Sequence, residues 1–315
     1  MDSDNVDNQV EHNTNVPAFR DFSPLEYTNF FDKKLDVHIG NDVFNVYLKG
    51  EEGPVFYLLH GGGYSGLSWA VFVEDLCSKV KCRVVAPDLR GHGLSRCTDD
   101  NLSSEKQIED IANIYNNVFE SLAKKPPLII VGHSMGGALA VRAVHANLLP
   151  NVQALAVIDV VEGSAMGNLS LMTQVLRNRP KHFATLEKAI KWCVDSGMTR
   201  NLKAAKVSMP SQLIKDENGK DGYHWRVNLG KTQEYWVGWF KGLSKLFLEC
   251  KPVKILILAN VDRLDKELMI GQMQGAFQYE VLHKVGHAVH EDSPDKVADI
   301  FANMVKRYQV IFNKA

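Results

Sequence analysis

The feature that most constrains this chain is the pentapeptide Gly132-His133-Ser134-Met135-Gly136, together with what stands on either side of it. Residues 128–131 (LIIV) precede it as an apolar run without alternation, the pattern of a strand covered on both faces of a parallel sheet. Residues 138–146 follow it as a predicted helix. A G-x-S-x-G held between a strand and a helix is a sharp turn that lifts a serine above the sheet. The glycines are needed because a Cβ at either position would crowd the neighbouring strand and helix. The hydroxyl then sits at a helix N-terminus, where N–H groups face any developing negative charge.

The rest of the chain repeats the same rhythm. Strands are predicted at 43–48, 54–59, 82–86, 154–158, 253–258 and 279–282, with helices between them. Residues 68–80 have helical apolar spacing. So do 104–122, where Ser104 and Gln107 fit a capping box and Pro126-Pro127 stops the chain from continuing. Ser293 and Pro294 open a final helix. Strand alternating with helix in this way gives an α/β class with a mostly parallel central sheet and helices on both faces. Residues 161–251 interrupt the rhythm with helical stretches at 186–195 and 234–249 and a polar turn at 215–222, and are read as a cap insertion.

With 315 residues, 45% of them hydrophobic and 23% charged, the chain can bury a full core. Residues 17–315 are read as one domain, and 1–16, rich in Asn and Asp, as a disordered tail. The balance of 36 basic and 37 acidic side chains gives no electrostatic footprint for nucleic acid or an anionic membrane. No segment approaches the ~20 apolar residues of a membrane span, and the N-terminus has no signal-peptide core. Five cysteines, with no C-x-x-C pair, fit free thiols better than a disulfide framework or zinc site. The expectation is a soluble intracellular protein, in the cytoplasm or the nucleus.

The serine at the turn needs a base, an acid and an oxyanion site. In this fold the order along the chain is nucleophile, acid, base. Of the late histidines His283, His287 and His290, His287 in Gly286-His287-Ala288 lies between the last strand and the final helix, where a loop can reach back over Ser134. His283 is read as packed, and His290 as a capping or surface group. Two aspartates compete for the acid. Asp159 follows the strand at 154–158 among apolar residues, where an unpaired carboxylate would be costly. Asp262 follows the strand at 253–258, beside Arg263 and Asp265. Spacing leaves the two level. His60-Gly61-Gly62-Gly63 follows the strand at 54–59, so Gly62 or Gly63 is expected to give one oxyanion N–H and Met135 the other. The turn Asp88-Leu89-Arg90-Gly91-His92-Gly93 is read as structural, and His133 as a packing residue. Tyr235, Trp236, Trp239, Phe240 and Phe247 form an aromatic set suited to a substrate groove or to the packing face of the cap.

With these parts in place the chain resembles the protein phosphatase methylesterase family of α/β-hydrolases. The stretches that carry the likeness are LLHGGGYSGLSWAVF (58–72), GHSMGGALAV (132–141), IDVVEGSAM (158–166), RNLKAAKVSM (200–209), VDRLDKELMIGQMQG (261–275) and GHAVHEDSPDKVA (286–298). The resemblance covers about residues 22–310. It implies Ser134 as nucleophile, His287 as base and Asp159, rather than Asp262, as acid. It further implies removal of the methyl ester from the C-terminal leucine of the protein phosphatase 2A catalytic subunit, without metal or organic cofactor. One departure stands out: longer relatives carry a large acidic insertion in the cap, where this chain has only the 215–222 turn. Two other readings share the same triad: a small-molecule carboxylesterase, and a phosphatase-binding regulator whose catalysis is secondary.

Overall fold

The computed structural model describes residues 20–216, 222–261 and 264–308. The 1–16 tail, most of the 215–222 turn, and Asp262 with Arg263 lie outside the described residues.

Eight strands form one sheet: β1 (Lys33–Ile39), β2 (Asp42–Lys49), β3 (Val55–Leu59), β4 (Arg83–Pro87), β5 (Leu128–His133), β6 (Val152–Ile158), and, after a long insertion, β10 (Val253–Ala259) and β11 (Gln278–Leu282). Their spatial order is β1-β2-β4-β3-β5-β6-β10-β11. From β4 to β11 the pairs are parallel, while β1 and β2 run antiparallel at the edge. The apolar runs become central strands because successive side chains enter opposite cores. Val55, Tyr57, Leu59, Leu128 and Ile130 fill one face; Phe56, Leu58, Ile129 and Val131 fill the other.

On the first face pack α2 (Ser104–Val118) and α3 (Met135–His145); on the second lie α1 (Ala70–Lys79) and, at the chain's end, α11 (Val289–Asp292) and α12 (Pro294–Arg307). The insertion carries α4 (Glu162–Gly167), α5 (Leu169–Arg177), β7 (His182–Phe183), α6 (Leu186–Asp195), α7 (Leu202–Ser211), β8 (Leu213–Lys215), β9 (Tyr223–Trp225), α8 (Gln233–Phe240) and α9 (Leu243–Glu249); α10 (Lys266–Met273) links β10 to β11. The insertion is therefore not helical throughout. A three-stranded sheet in the order β7-β9-β8 adds its own small core around Phe183, Ile190, Cys193 and Met209.

Several local expectations are corrected. The helix expected at 104–122 ends at Val118, and its cap is Ser103, whose hydroxyl accepts the Lys106 N–H; Ser104 is already helical and Gln107 donates to the Leu102 carbonyl. The stretch 234–249 is two helices, because Gly242 adopts φ 80° and its N–H is taken by Glu162. Ser293 stands at the expected N-cap with Pro294 in the first turn, yet its hydroxyl makes no capping bond. β1 went unread because it is an edge strand with most of its side chains exposed, so no apolar pattern marks it.

Candidate active site

Three adjacent strands end in the same strained way. Ser134 after β5, Asp159 after β6 and Asn260 after β10 have φ of 51°, 55° and 62°. A positive φ in a residue with a Cβ is unfavourable unless its surroundings hold it. Here the neighbouring strand does so. The Ser134 N–H donates to Ile158 O at 2.9 Å, Asp159 N–H to Ile257 O at 2.8 Å, and Asn260 N–H to Leu282 O at 2.8 Å. Each bend is locked one strand over, and the sheet's C-terminal edge becomes a fixed platform.

The glycines of the serine turn are required by contact. A Cβ on Gly132 would strike the Gly136 carbonyl, and one on Gly136 would strike Leu59 O. With both absent, α3 starts directly beneath Ser134, and the Met135 N–H, first in the helix, has no intrahelical acceptor.

Asp159 is buried, and its two carboxylate oxygens have separate tasks. Oδ1 accepts the Ala259 N–H at 2.9 Å, and Oδ2 accepts the His287 Nδ1–H at 2.7 Å. The backbone bond fixes the carboxylate, and the carboxylate fixes the imidazole with Nε2 turned away from it. Of the two aspartates left level by spacing, Asp159 is the one bonded to His287; Asp262 is outside the described residues. His287 remains about half exposed at its side chain. Its loop is tied down from three directions. His133 Nε2–H donates to His287 O at 2.9 Å, Gly286 N–H donates to Asp292, and Asn260 Nδ2 donates to Val285 O. His133, read as a packing residue, thus also holds the backbone of the base. Burial pushes its pKa well below the ordinary imidazole range, consistent with a neutral ring that donates from Nε2.

The other late histidines exchange their expected places. His283 is exposed, with Nδ1 3.1 Å from Asn260 O. His290 is fully buried, stacked on Trp69 with ring centroids 4.0 Å apart, and burial takes its pKa down to about 3. It is neither a capping nor a surface group.

Ser134, Asp159, His287, Met135 and Gly62 line one cavity of about 370 Å³. Among the described residues no hydrogen bond joins Ser134 Oγ to His287. Gly63, paired with Gly62 as an expected oxyanion donor, is committed elsewhere: its N–H donates to His92 Nε2 at 2.9 Å. Gly62 is therefore the glycine left for that task. His92 belongs to the turn read as structural. Burial takes its pKa down to about 4, which leaves Nε2 free to accept. In the same turn Asp88 accepts from Asn45, Gly66 and Leu94, and Arg90 is buried against Asp42 and Asp110. The remaining wall comes from the insertion. Leu171, Met172, Val175 and Leu176 of α5 and Trp236, Trp239 and Phe240 of α8 make it apolar. Trp236, Trp239 and Phe240 thus serve both roles the set was read for, buried packing and cavity lining, while Tyr235 and Phe247 only pack.

All five cysteines are free thiols. Among the described residues no cluster of His, Cys, Asp or Glu could hold a metal ion, and no helix is long and apolar enough to cross a membrane.

Residues 56–300 match the model of the alpha/beta hydrolase family. The chain is 55% identical to a probable protein phosphatase methylesterase 1 of Caenorhabditis elegans, over 92% of this chain and 79% of that one. It is 46% and 45% identical to protein phosphatase methylesterase 1 of Bos taurus and Homo sapiens, over 92% of this chain and 88% and 86% of theirs. Among solved structures, E-2-(acetamidomethylene)succinate hydrolase superposes with a TM-score of 0.71 at 18% identity, covering 87% of this chain and 99% of that one, a likeness of fold.

Proposed function

The chain belongs to the protein phosphatase methylesterase family of α/β-hydrolases and is a carboxylic ester hydrolase, and from that premise we propose that it demethylates the C-terminal leucine methyl ester of the protein phosphatase 2A catalytic subunit through an acyl-enzyme on Ser134. The observation that carries the reading is the buried Asp159–His287 bond on the same cavity as a serine held at φ 51°.

The chemistry follows from the parts. Ser134 Oγ attacks the ester carbonyl while His287 Nε2 takes its proton. Asp159 keeps the imidazole in the tautomer that presents Nε2 and stabilises the imidazolium that forms. The Met135 and Gly62 N–H groups receive the oxyanion. His287 returns the proton to the departing methoxide, and methanol leaves. Water, deprotonated by the same imidazole, then attacks the acyl-enzyme and releases the free carboxylate. Ser134 and His287 share the cavity without a hydrogen bond between them; catalytic hydrogen bonds that are long in a free enzyme tighten when substrate fills the site.

The test is incubation of the purified chain with methylated phosphatase catalytic subunit, following methanol release and the state of the tail. The expected result is stoichiometric demethylation that Ser134→Ala abolishes. An ester left intact by the wild type, with brisk turnover of simple esters, would reassign the chain to small-molecule substrates.

A further inference from the structure

Among the described residues, one Lys or Arg lines the cavity: Arg179, just beyond the C-terminus of α5 in the insertion. Its surroundings differ from those of the buried Arg90, for Arg179 is only partly buried. Arg90 faces Asp42, Asp99 and Asp110. Arg179 makes no ion pair and no side-chain hydrogen bond with any described residue. Its guanidinium instead lies over the Trp225 ring, 4.8 Å from the centroid. That ring is itself fixed: Trp225 Nε1–H donates to Pro180 O at 2.7 Å, and Phe183 and Trp192 pack against it at 5.7 and 5.8 Å. The guanidinium is thus held on a rigid platform, with its donors unused.

Among the described residues, the groups near it carry no balancing charge. The Tyr64 hydroxyl and the buried Cys193 thiol are its neighbours, and burial pushes both to higher pKa, so both are neutral at physiological pH. Glu291 and Asp292 lie toward Tyr64 but are engaged by Thr199 and Arg200. Burial pulls the Arg179 pKa down, yet a guanidinium keeps its proton. A partly desolvated cation without an anion carries some cost, and a ligand carboxylate would relieve it.

We propose that Arg179 determines specificity for the reaction by receiving an acidic side chain of the substrate peptide, on the acyl side of the methyl ester. The assignment rests on the methylesterase reading above. The reacting carboxyl group is served by Ser134, Met135 and Gly62 at the sheet edge. Arg179 comes from the insertion instead, and the route to it from His287 passes through His133 and Tyr64, with ring centroids 4.6 and 5.5 Å apart in turn. Ser134, His287 and Arg179 line the same cavity, so one bound peptide can reach both ends of it.

The experiment measures binding, so that it does not depend on turnover. Full-length chain carrying Ser134→Ala is titrated with peptide methyl esters in which one acidic residue, moved through the four positions before the esterified residue, is compared with its amide counterpart. At one position the acid should bind about 10-fold more tightly than the amide, as a charge-assisted pair does. The preference should shrink as salt rises, and fall to within about 2-fold in Arg179→Gln, while Arg179→Lys keeps part of it. Thermal melting of both variants separates loss of the subsite from loss of the fold. Absence of any acid preference in the parent would overturn the proposal. So would a preference unchanged in Arg179→Gln, or equal weakening of acid and amide peptides. Methanol release by the wild type is read separately, so failure of the methylesterase reading shows as an intact ester and failure of the subsite as an unchanged ratio.

Discussion

The two walls of the cavity are built on opposite plans. The wall at the sheet edge holds Ser134 and Asp159 at positive φ, each pinned by a backbone bond to the next strand, among glycines that leave no room for a Cβ. The wall from the insertion is largely apolar and, along α5, looser: Leu171 and Val175 are about half exposed. Chemistry needs atoms placed to fractions of an ångström, and substrate recognition tolerates more. Rigidity is concentrated where bonds are to be broken, and the more exposed apolar surface lies along α5, across the cavity from them.

The contrast can be broken in order of expected effect. Ser134→Ala should lower kcat by on the order of 10⁶-fold while leaving the fold intact, as comparison of kinetics with circular dichroism will show. Asp159→Asn should cost roughly 10³- to 10⁴-fold, because an amide that must accept from Ala259 N–H cannot also hold His287 in the productive tautomer. In single-turnover assays, a loss below about tenfold would deny Asp159 its role. Gly136→Ala should destabilise the chain by about 3 kcal/mol or more in urea unfolding, since its Cβ meets main-chain oxygen rather than a yielding side chain.

A smaller effect belongs to the contact between the insertion and α11, where Thr199 donates to Glu291. Burial raises the Glu291 pKa to about 7 from an ordinary 4.5. Between those values the native state holds a proton that the unfolded state has released. The stabilisation is therefore full below pH 4.5 and is lost as pH rises through 7. Glu291→Gln should remove that slope, changing the pH dependence of unfolding free energy by about 1–3 kcal/mol across the window. Parallel curves for variant and wild type would contradict it. Smallest of all, Gly238→Ala, with nothing within 4 Å of where its Cβ would stand, should stabilise α8 by about 0.5–1 kcal/mol, against the loss at Gly136.

Legibility in the sequence followed the same division. The central strands and the serine turn were plain, because buried parallel strands are continuous apolar runs and the turn tolerates few residues. His287 could be chosen from its loop, but the burial of His283 and His290 was read in reverse: an exposed strand end and a buried helix start look alike in sequence. Gly62 and Gly63 could not be told apart, since what separates them is His92, twenty-nine residues further on. Arg179 carried no signal, because nothing near it in the chain marks an arginine that lacks a carboxylate.

The sequence by itself determined the sheet, the turn at Ser134 and the order of the chemical groups along the chain, since each is written in short-range pattern and steric need. Spacing left the acid open and the family resemblance pointed to Asp159; the tertiary structure shows the Asp159–His287 bond, and it alone decided which glycine keeps a free N–H and which described cation faces the cavity. Those are contacts between residues remote in the chain, and hydrogen bonds across such distances leave no local trace in the order of amino acids.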